Sequence, residues 1–245
     1  MVSVIMPVYD RTSELREAVE SILNQSYCNF ELLLVTDGSP RETLNVVERY
    51  RDHQQVRLFH YRDNSGNAVR GRNRGICEAR GEFIAFQDSD DLAEVDRLRI
   101  SVECIRRYDA DIVYGGWRAL VDGSRLDTWL RDGQVVVPVR FAVSDLLRNN
   151  RICQSTVLAR RNVFAAVGGY KDVMKFREDH ELWLRAAFYG CRFKSIPNVL
   201  ASIRVHQGNH ERNYIDDDQF WYRLMLREYR LKPGNAEFEN LLEKA

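Results

Sequence analysis

The sequence predicts an α/β protein with a mostly parallel central sheet flanked by helices. Through the first hundred residues, short apolar runs alternate with segments of helical periodicity, and this alternation is typical of strand-helix-strand units. The runs are apolar at every position rather than at every second one, which indicates strands that are buried on both faces. A chain of 245 residues is long enough for a sizeable core and falls within the range of one α/β domain.

The first half of the chain contains four predicted strands. They are Val2–Val8, Phe30–Val35, Val56–Tyr61 and Glu82–Phe86. A helix follows the first strand, because Leu15, Val19, Ile22 and Leu23 recur at helical spacing, and Thr12 or Ser13 can cap it. Turn residues at 37–40 end the second strand, and two more helices are predicted at Thr43–Tyr50 and Ala68–Ala79.

After Asp91 the alternation weakens, and the remaining elements are more widely spaced. We predict helices at Val95–Tyr108, Phe141–Leu147, Asp179–Tyr189 and Gln219–Tyr229, and strands at Asp111–Trp117 and Val199–Val205. The stretch Val121–Val139 is polar and rich in turns, with short β-prone patches. Trp183 is expected to belong to the core, on the apolar side of the Asp179–Tyr189 helix.

Composition excludes several classes of protein. Thirty-six basic and thirty-six acidic residues cancel, so no overall field would gather nucleic acid or an anionic membrane. The five cysteines are scattered, without metal-ligand spacing, which suits a reducing compartment. The opening apolar run is too short for a signal peptide, and no apolar run reaches the length of a membrane helix. We therefore expect a cytoplasmic protein without a transmembrane segment, and peripheral association with the inner face of the membrane remains open.

Acidic residues follow three of the predicted strands. Asp10 comes after the first strand, Asp37 after the second, and the segment Asp88-Ser89-Asp90 after the fourth. Ligands of open parallel sheets bind at the carboxyl ends of the strands, and clustered carboxylates repel each other unless a cation compensates. Because hard divalent cations prefer carboxylate oxygens, the segment is a candidate Mg²⁺ or Mn²⁺ site. The alternative is that it only caps the helix that starts near Val95.

Four blocks of the sequence, in order, resemble the family 2 glycosyltransferases. The blocks are VSVIMPVYD, LLLVTDGSP, GRNRGICEARGEFIAFQDSDD and REDHELWLR, and the resemblance runs from about Val2 to the region of His206. It implies the GT-A fold, with a Rossmann-like nucleotide-binding half at about 1–100 and an acceptor half at about 101–215. A helical tail is expected at 216–245.

The resemblance implies a donor site at the strand ends. Asp37 matches the acidic residue that hydrogen-bonds the nucleotide base, although Thr36 replaces the family's preceding acid. Asp88 is expected at the ribose, Asp90 and Asp88 at the metal, and Arg72 near the base or diphosphate. His206 matches a histidine that approaches the metal in the family. The alternative is that His206 has only a structural role. The full donor-binding set is Pro7, Val8, Tyr9, Asp10, Asp37, Arg72, Asp88 and Ser89.

On the acceptor side, the resemblance implies a catalytic carboxylate at the start of a helix. Asp179 is the expected general base and Glu178 the alternative; without the resemblance, acidic residues there are explained equally well by the helix dipole. The alternative for Arg70, Arg72 and Arg74 is a solvated helix face, and of the three only Arg72 has a match in the family. Gly168-Gly169-Tyr170 is expected to form a turn near the sugar.

The expected activity is inverting transfer of a sugar from a nucleoside diphosphate sugar, most readily a UDP-sugar, to a hydroxyl of a glycan or lipid-linked acceptor in cell-surface polysaccharide synthesis. Mn²⁺ or Mg²⁺ would support the departing diphosphate. A non-catalytic nucleotide-sugar-binding module and a nucleotidyltransferase are the alternatives. The first has no need for clustered carboxylates, and the second would carry a glycine-rich basic loop after its first strand.

Overall fold

One nine-stranded sheet forms the centre of the computed structural model, which describes residues 1–121, 130–138, 146, 149–174 and 176–205. The strands are β1 (Val2–Val8), β2 (Phe30–Asp37), β3 (Val56–Tyr61), β4 (Phe83–Phe86), β5 (Leu92–Ala93), β6 (Ile112–Val121), β7 (Val135–Val136), β8 (Leu158–Arg160) and β9 (Phe193–Val205). Their order across the sheet is β3-β2-β1-β4-β8-β6-β9-β5, with β7 paired to β6.

The predicted parallel pairing holds for the first four strands, and the rest of the sheet is mixed. β3, β2, β1 and β4 run parallel to one another. β8 is antiparallel to both β4 and β6, β5 is antiparallel to β9, and β6 is parallel to β9. The sequence did not predict β5 or β8, because strands of two or three residues are too short to show a period.

Six helices lie among the described residues. They are α1 (Thr12–Leu23), α2 (Arg41–Glu48), α3 (Val69–Glu78), α4 (Arg97–Arg107), α5 (Arg161–Val167) and α6 (Glu178–Phe188). The predicted cap of α1 was wrong: Thr12 is already helical, and the residue before it, Arg11, has a left-handed backbone with φ 67°. The helix after the acidic segment starts at Arg97, and β5 intervenes, so that segment does not cap it.

Two apolar layers cover the two faces of the sheet. Successive residues of β1 alternate between them, with Ile5 in one layer and Met6 in the other. On the Ile5 side, the Phe86 ring meets Tyr170 and Trp183 edge-on, at 5.5 and 6.3 Å between ring centroids. Trp183 is fully buried, which confirms its predicted core position and fixes α6 against the end of β4.

Some predicted elements lie outside the described residues. The helix at 141–147 does so except for Leu146, and His206, the helix at 219–229 and the tail at 216–245 do so entirely. The polar stretch 121–139 contains β7, which pairs with β6. In the described part of the chain, no helix combines the length and apolar character that crossing a membrane requires.

Candidate active site

The ends of β1, β2 and β4, together with α3 and the start of α6, bring most of the predicted site residues to one edge of the sheet. The side chains of Pro7 and Val8 are buried at the end of β1, whereas Tyr9 and Asp10 beyond it are exposed. Ser89 is half-buried in the loop after β4. The edge therefore has an apolar floor and a polar rim, as expected for a ligand site.

Arg72 of α3 joins the two predicted halves of the site. Its Nη2 donates to Asp88 Oδ1 and its Nη1 to Glu178 Oε1, both at 2.8 Å. The side chain is buried, and its guanidinium lies 5.4 Å from the centre of the Tyr170 ring. Burial alone would lower the pKa of Arg72, but Asp88 and Glu178 more than offset this and raise the pKa above its usual value. Arg72 is therefore a permanent cation between two carboxylates.

Asp37 lies at the end of β2 and is 4% exposed. Its Oδ2 accepts hydrogen bonds from the backbone N–H and the hydroxyl of Ser65, at 3.0 and 2.6 Å. Its Oδ1 accepts from Nε of Arg70 at 2.7 Å and also from Nη2 of Arg70. A carboxylate has about four acceptor positions, so these four donors occupy them. A nucleobase could reach this carboxylate only by replacing one of them.

Two further arginines contact the acidic loop after β4. Arg11 Nη1 donates to Asp90 Oδ2 at 2.6 Å, across from the left-handed turn before α1. Arg204 of β9 donates from its Nε to the Asp90 carbonyl at 2.8 Å. The side chains of Asp88 and Asp90 retain 33% and 21% exposure. These carboxylates face cations of the protein yet stay accessible from solvent.

Asp91 is the buried member of the loop. Its carboxylate accepts from Ser155 Oγ at 2.6 Å and from the Arg204 backbone N–H at 3.1 Å. Burial, together with the charges of Asp90 and Asp88, raises the pKa of Asp91 well above the usual carboxyl range. Ser155 Oγ also accepts from the backbone N–H of Asp88 at 3.1 Å, so this one hydroxyl holds both ends of the loop.

Glu178 and Asp179 lie in the first turn of α6, so the predicted position of this acidic pair at the start of a helix is confirmed. Arg177, the residue before the helix, has a left-handed backbone with φ 55°. Asp179 Oδ2 accepts from Asn150 Nδ2 at 2.7 Å, and its Oδ1 accepts from the His180 backbone N–H at the same distance. Both acidic residues are half-buried. Arg72 therefore connects the pair with the acidic loop after β4, and Asn150 connects it with the segment before β8.

The predicted turn at Gly168-Gly169-Tyr170 packs against α3. Asn73 of α3 donates from Nδ2 to the Tyr170 carbonyl and accepts from the Tyr170 N–H, both at 2.8 Å. A Cβ on Gly169 would lie 2.4 Å from Asn73 Oδ1, which explains why this position has no side chain. Helix α3 thus contacts Asp37, Asp88, Glu178 and the turn.

The residues that fit a divalent metal are Asp88 and Asp90. Their carboxylate oxygens are the ligands that Mg²⁺ and Mn²⁺ prefer, and both side chains are partly exposed. Among the described residues no group of three His, Cys, Asp or Glu side chains has metal-binding geometry, so further ligands would come from the diphosphate, from water or from residues outside that part. His206, the third predicted ligand, lies outside the described residues.

Comparison with known proteins decides the family. The model of "Glycosyl transferase family 2" matches residues 3–168. The chain belongs to glycosyl transferase family 2. This family 2 glycosyltransferase is 31% identical over 209 residues to the putative glycosyltransferase EpsE of Bacillus subtilis, covering 83% of this chain and 72% of EpsE. It is 29% identical to the Escherichia coli UDP-Glc:alpha-D-GlcNAc-diphosphoundecaprenol beta-1,3-glucosyltransferase WfgD, covering 75% of this chain and 68% of WfgD.

Solved structures confirm the GT-A fold of this family 2 glycosyltransferase. S. aureus TarS in complex with UDP-GlcNAc aligns with a TM-score of 0.74 at 22% identity, over 98% of this chain and 69% of that one. The mannosyltransferase PcManGT from Pyrobaculum calidifontis, in complex with GDP-Man and Mn²⁺, aligns with a TM-score of 0.70 at 18% identity, over 99% and 68%.

Sequence reasoning missed most of the partners of the predicted residues. Arg11, Ser65, Asn150 and Ser155 were not singled out, and Arg70 was placed on a solvated face. These are single polar residues in loops or on a helix without a local pattern. Their only signal is the contact that the fold creates.

Proposed function

We propose that this enzyme transfers a sugar, with inversion, from a UDP-sugar to a hydroxyl of a glycan or lipid-linked acceptor. The observation that carries the proposal is the Asp88–Arg72–Glu178 bridge, which brings the acidic loop after β4 next to the acidic pair of α6. UDP-GlcNAc in TarS, and the UDP-glucose and diphosphoundecaprenol in the name of WfgD, support the donor and acceptor classes.

The transfer step requires a base on the acceptor side. We assign this role to Asp179, whose carboxylate accepts the proton of the acceptor hydroxyl as the oxygen bonds to the anomeric carbon. The bond from that carbon to the diphosphate breaks on the opposite face, so the configuration inverts. Glu178 is the weaker candidate because its carboxylate is an acceptor in the Arg72 ion pair.

The donor side requires cationic support for a diphosphate. We assign the metal to Asp90 and Asp88, and the Mn²⁺ in the PcManGT complex supports a divalent ion. When bound, the ion would neutralise charge that develops on the leaving diphosphate. Arg11 and Arg72 pair with these carboxylates, and we assign both side chains to the phosphate oxygens of the bound donor.

The base pocket is assigned to Asp37 and to the backbone at Pro7, Val8 and Tyr9. Because Ser65 and Arg70 occupy the Asp37 carboxylate, the segment that carries Ser65 has to yield for a uracil N–H to bind there. Tyr9 directly follows Pro7 and Val8 and is 45% exposed. We assign its aromatic ring to stacking on the face of the base.

A titration with nucleotides tests the donor assignment first. UDP, GDP, dTDP and CDP would each be added with Mn²⁺ and with chelator, and the thermal midpoint measured. Stabilisation by UDP that requires Mn²⁺ is the expected result, because a ligand of the native state alone raises its stability. Stabilisation by another nucleotide would change the donor, and no shift with any of them would refute the site.

Asp179→Asn tests the catalytic assignment. The amide keeps the shape of the carboxylate but cannot take a proton, so sugar transfer should fall by about a thousandfold or more while UDP binding changes little. Glu181→Gln is not a suitable control, since Glu181 is buried in an ion pair with Arg185. The exposed Asp172→Asn is the matched control and should leave the rate unchanged. Undiminished turnover by Asp179→Asn would refute Asp179 as the base.

A further inference from the structure

The segment 150–155, before β8, contacts both the acidic loop after β4 and the acidic pair of α6. At one end, Ser155 Oγ donates to Asp91 and accepts from the Asp88 N–H. At the other end, Asn150 Nδ2 donates to Asp179 Oδ2 at 2.7 Å. Between them, Gln154 Nε2 donates to the Tyr170 hydroxyl at 2.5 Å. The segment is therefore tied to both sides of the site over six residues.

The orientation of the Asn150 amide follows from its own hydrogen bonds. Its Oδ1 accepts from the backbone N–H of Ile152 at 3.1 Å, and Ile152 is buried. A flipped amide would lose this bond and would turn an oxygen toward the Asp179 carboxylate, where two acceptors repel. Asn150 thus presents an N–H to Asp179 in one defined direction.

We propose that Asn150 is a positioning residue for Asp179, holding its carboxylate in the orientation that receives the acceptor proton. This inference rests on the proposed function, in which Asp179 is the base. Asp179 also accepts from the N–H of His180, which is part of the same helix and only one residue away. Asn150 lies 29 residues away and belongs to a different element, so it sets the carboxylate relative to the rest of the site.

Segment 150–155, which carries the Asn150 contact to Asp179, is anchored at its other end by Ser155. Ser155 is buried, and both of its bonds go to the loop that carries the proposed metal ligands. The position of Asn150, and with it the contact to Asp179, is therefore tied to the position of that loop. Segment 150–155 therefore connects the acidic loop with Asp179, in addition to the connection that Arg72 makes between Asp88 and Glu178.

Three variants of the full chain test the inference. Asn150→Ala removes the N–H donor, and Asn150→Asp keeps the shape and the acceptor for Ile152 but removes the donor and adds a negative charge. Asn149→Ala is the matched control, because Asn149 is the exposed neighbour of the same type. The probe is release of nucleoside diphosphate from whichever of UDP-glucose, UDP-GlcNAc and GDP-mannose the unmodified protein hydrolyses fastest.

For Asn150→Ala we expect kcat to fall about tenfold to a hundredfold, the range for a hydrogen bond to a charged group, with the Kd of the diphosphate unchanged within about twofold. Asn150→Asp should lose at least as much, and Asn149→Ala nothing. In an Asp179→Asn background, Asn150→Ala should have no further effect, since residues that act through one another are not additive. If Asn150 had only a structural role, Asn150→Ala would lower kcat by the same factor in the Asp179→Asn background as in the unmodified protein, and it would also lower the thermal midpoint.

The outcomes separate this inference from the proposed function. If Asp179→Asn is inactive while Asn150→Ala and Asn150→Asp keep the rate of the unmodified protein, the role of Asn150 is refuted and the proposed function stands. If Asp179→Asn keeps the turnover of the unmodified protein, Asp179 is not the base, and both the catalytic assignment and the inference are refuted.

Discussion

Replacing Arg72 by methionine is the sharpest test of how the site is held together. The change removes a buried cation but keeps most of the apolar volume, and it leaves Asp88 and Glu178 facing each other without a counter-charge. Loss of one partner from a fully buried ion pair costs about 3–5 kcal/mol. Because Asp88 and Glu178 retain 33% and 19% exposure, water can solvate them, and we expect about 2–3 kcal/mol.

The assay is urea unfolding, supported by a thermal scan. For a domain of this size, such a loss corresponds to a decrease in Tm of about 5–10 °C. The Tm of Arg72→Lys should lie between those of the unmodified protein and Arg72→Met, because one ammonium cannot reproduce the two contacts that a guanidinium makes. Nucleotide-sugar turnover should fall with both substitutions, more steeply for methionine.

Arg74→Met is the matched control for Arg72→Met. Arg74 lies two positions further along α3, is 44% exposed and pairs with Glu78 one helical turn away. Exposed pairs of this kind are worth about 0.5 kcal/mol or less. If Arg72→Met destabilises the protein no more than Arg74→Met does, Arg72 does not connect the halves of the site, and the reasoning from the bridge is refuted.

Three further changes have defined outcomes. Asp90→Asn should abolish the Mn²⁺-dependent part of UDP stabilisation, measured by thermal shift, while leaving the apo midpoint nearly unchanged; equal Mn²⁺ dependence would exclude Asp90 as a ligand. Trp183→Ala should cost about 3–5 kcal/mol in urea unfolding, because the ring is fully buried, whereas Val173→Ala at an exposed site should change little. Burial raises the pKa of Tyr114 from 10 to about 12, so its contribution to stability is present below pH 10 and lost as the pH rises to about 12. Tyr114→Phe should reduce that loss, and an unchanged pH profile between the two proteins would contradict it.

The first half of the fold was predictable because its signals are local. The strands β1 to β4 and the helices between them were predicted within a few residues, since buried parallel strands and amphipathic helices each impose a period on the sequence. The second half was less predictable. β5 and β8 have two and three residues, and their pairing partners lie far away in the chain.

The candidate site was predictable in its acids but not in its contacts. Asp88, Asp90 and Glu178-Asp179 follow a strand or start a helix, as the motifs indicated. The alternative interpretation of Asp88 and Asp90, that they only cap the following helix, was wrong because β5 separates them from α4. Asn150 and Ser155 carry no motif, and only their positions in the folded chain connect them with Asp179 and Asp91.

The sequence by itself determined the fold class, the family and the edge of the sheet that we propose as the active site. These depend on periodicity and on residue order, which are properties of the chain read in one dimension. Only the tertiary structure decided that Arg72 bridges Asp88 and Glu178, the second of which lies 106 residues from Arg72 in the sequence. Only the tertiary structure likewise showed that Asn150 donates a hydrogen bond to Asp179. Ion pairs and hydrogen bonds act over about 3 Å, so a contact between distant residues exists only once packing has brought them together.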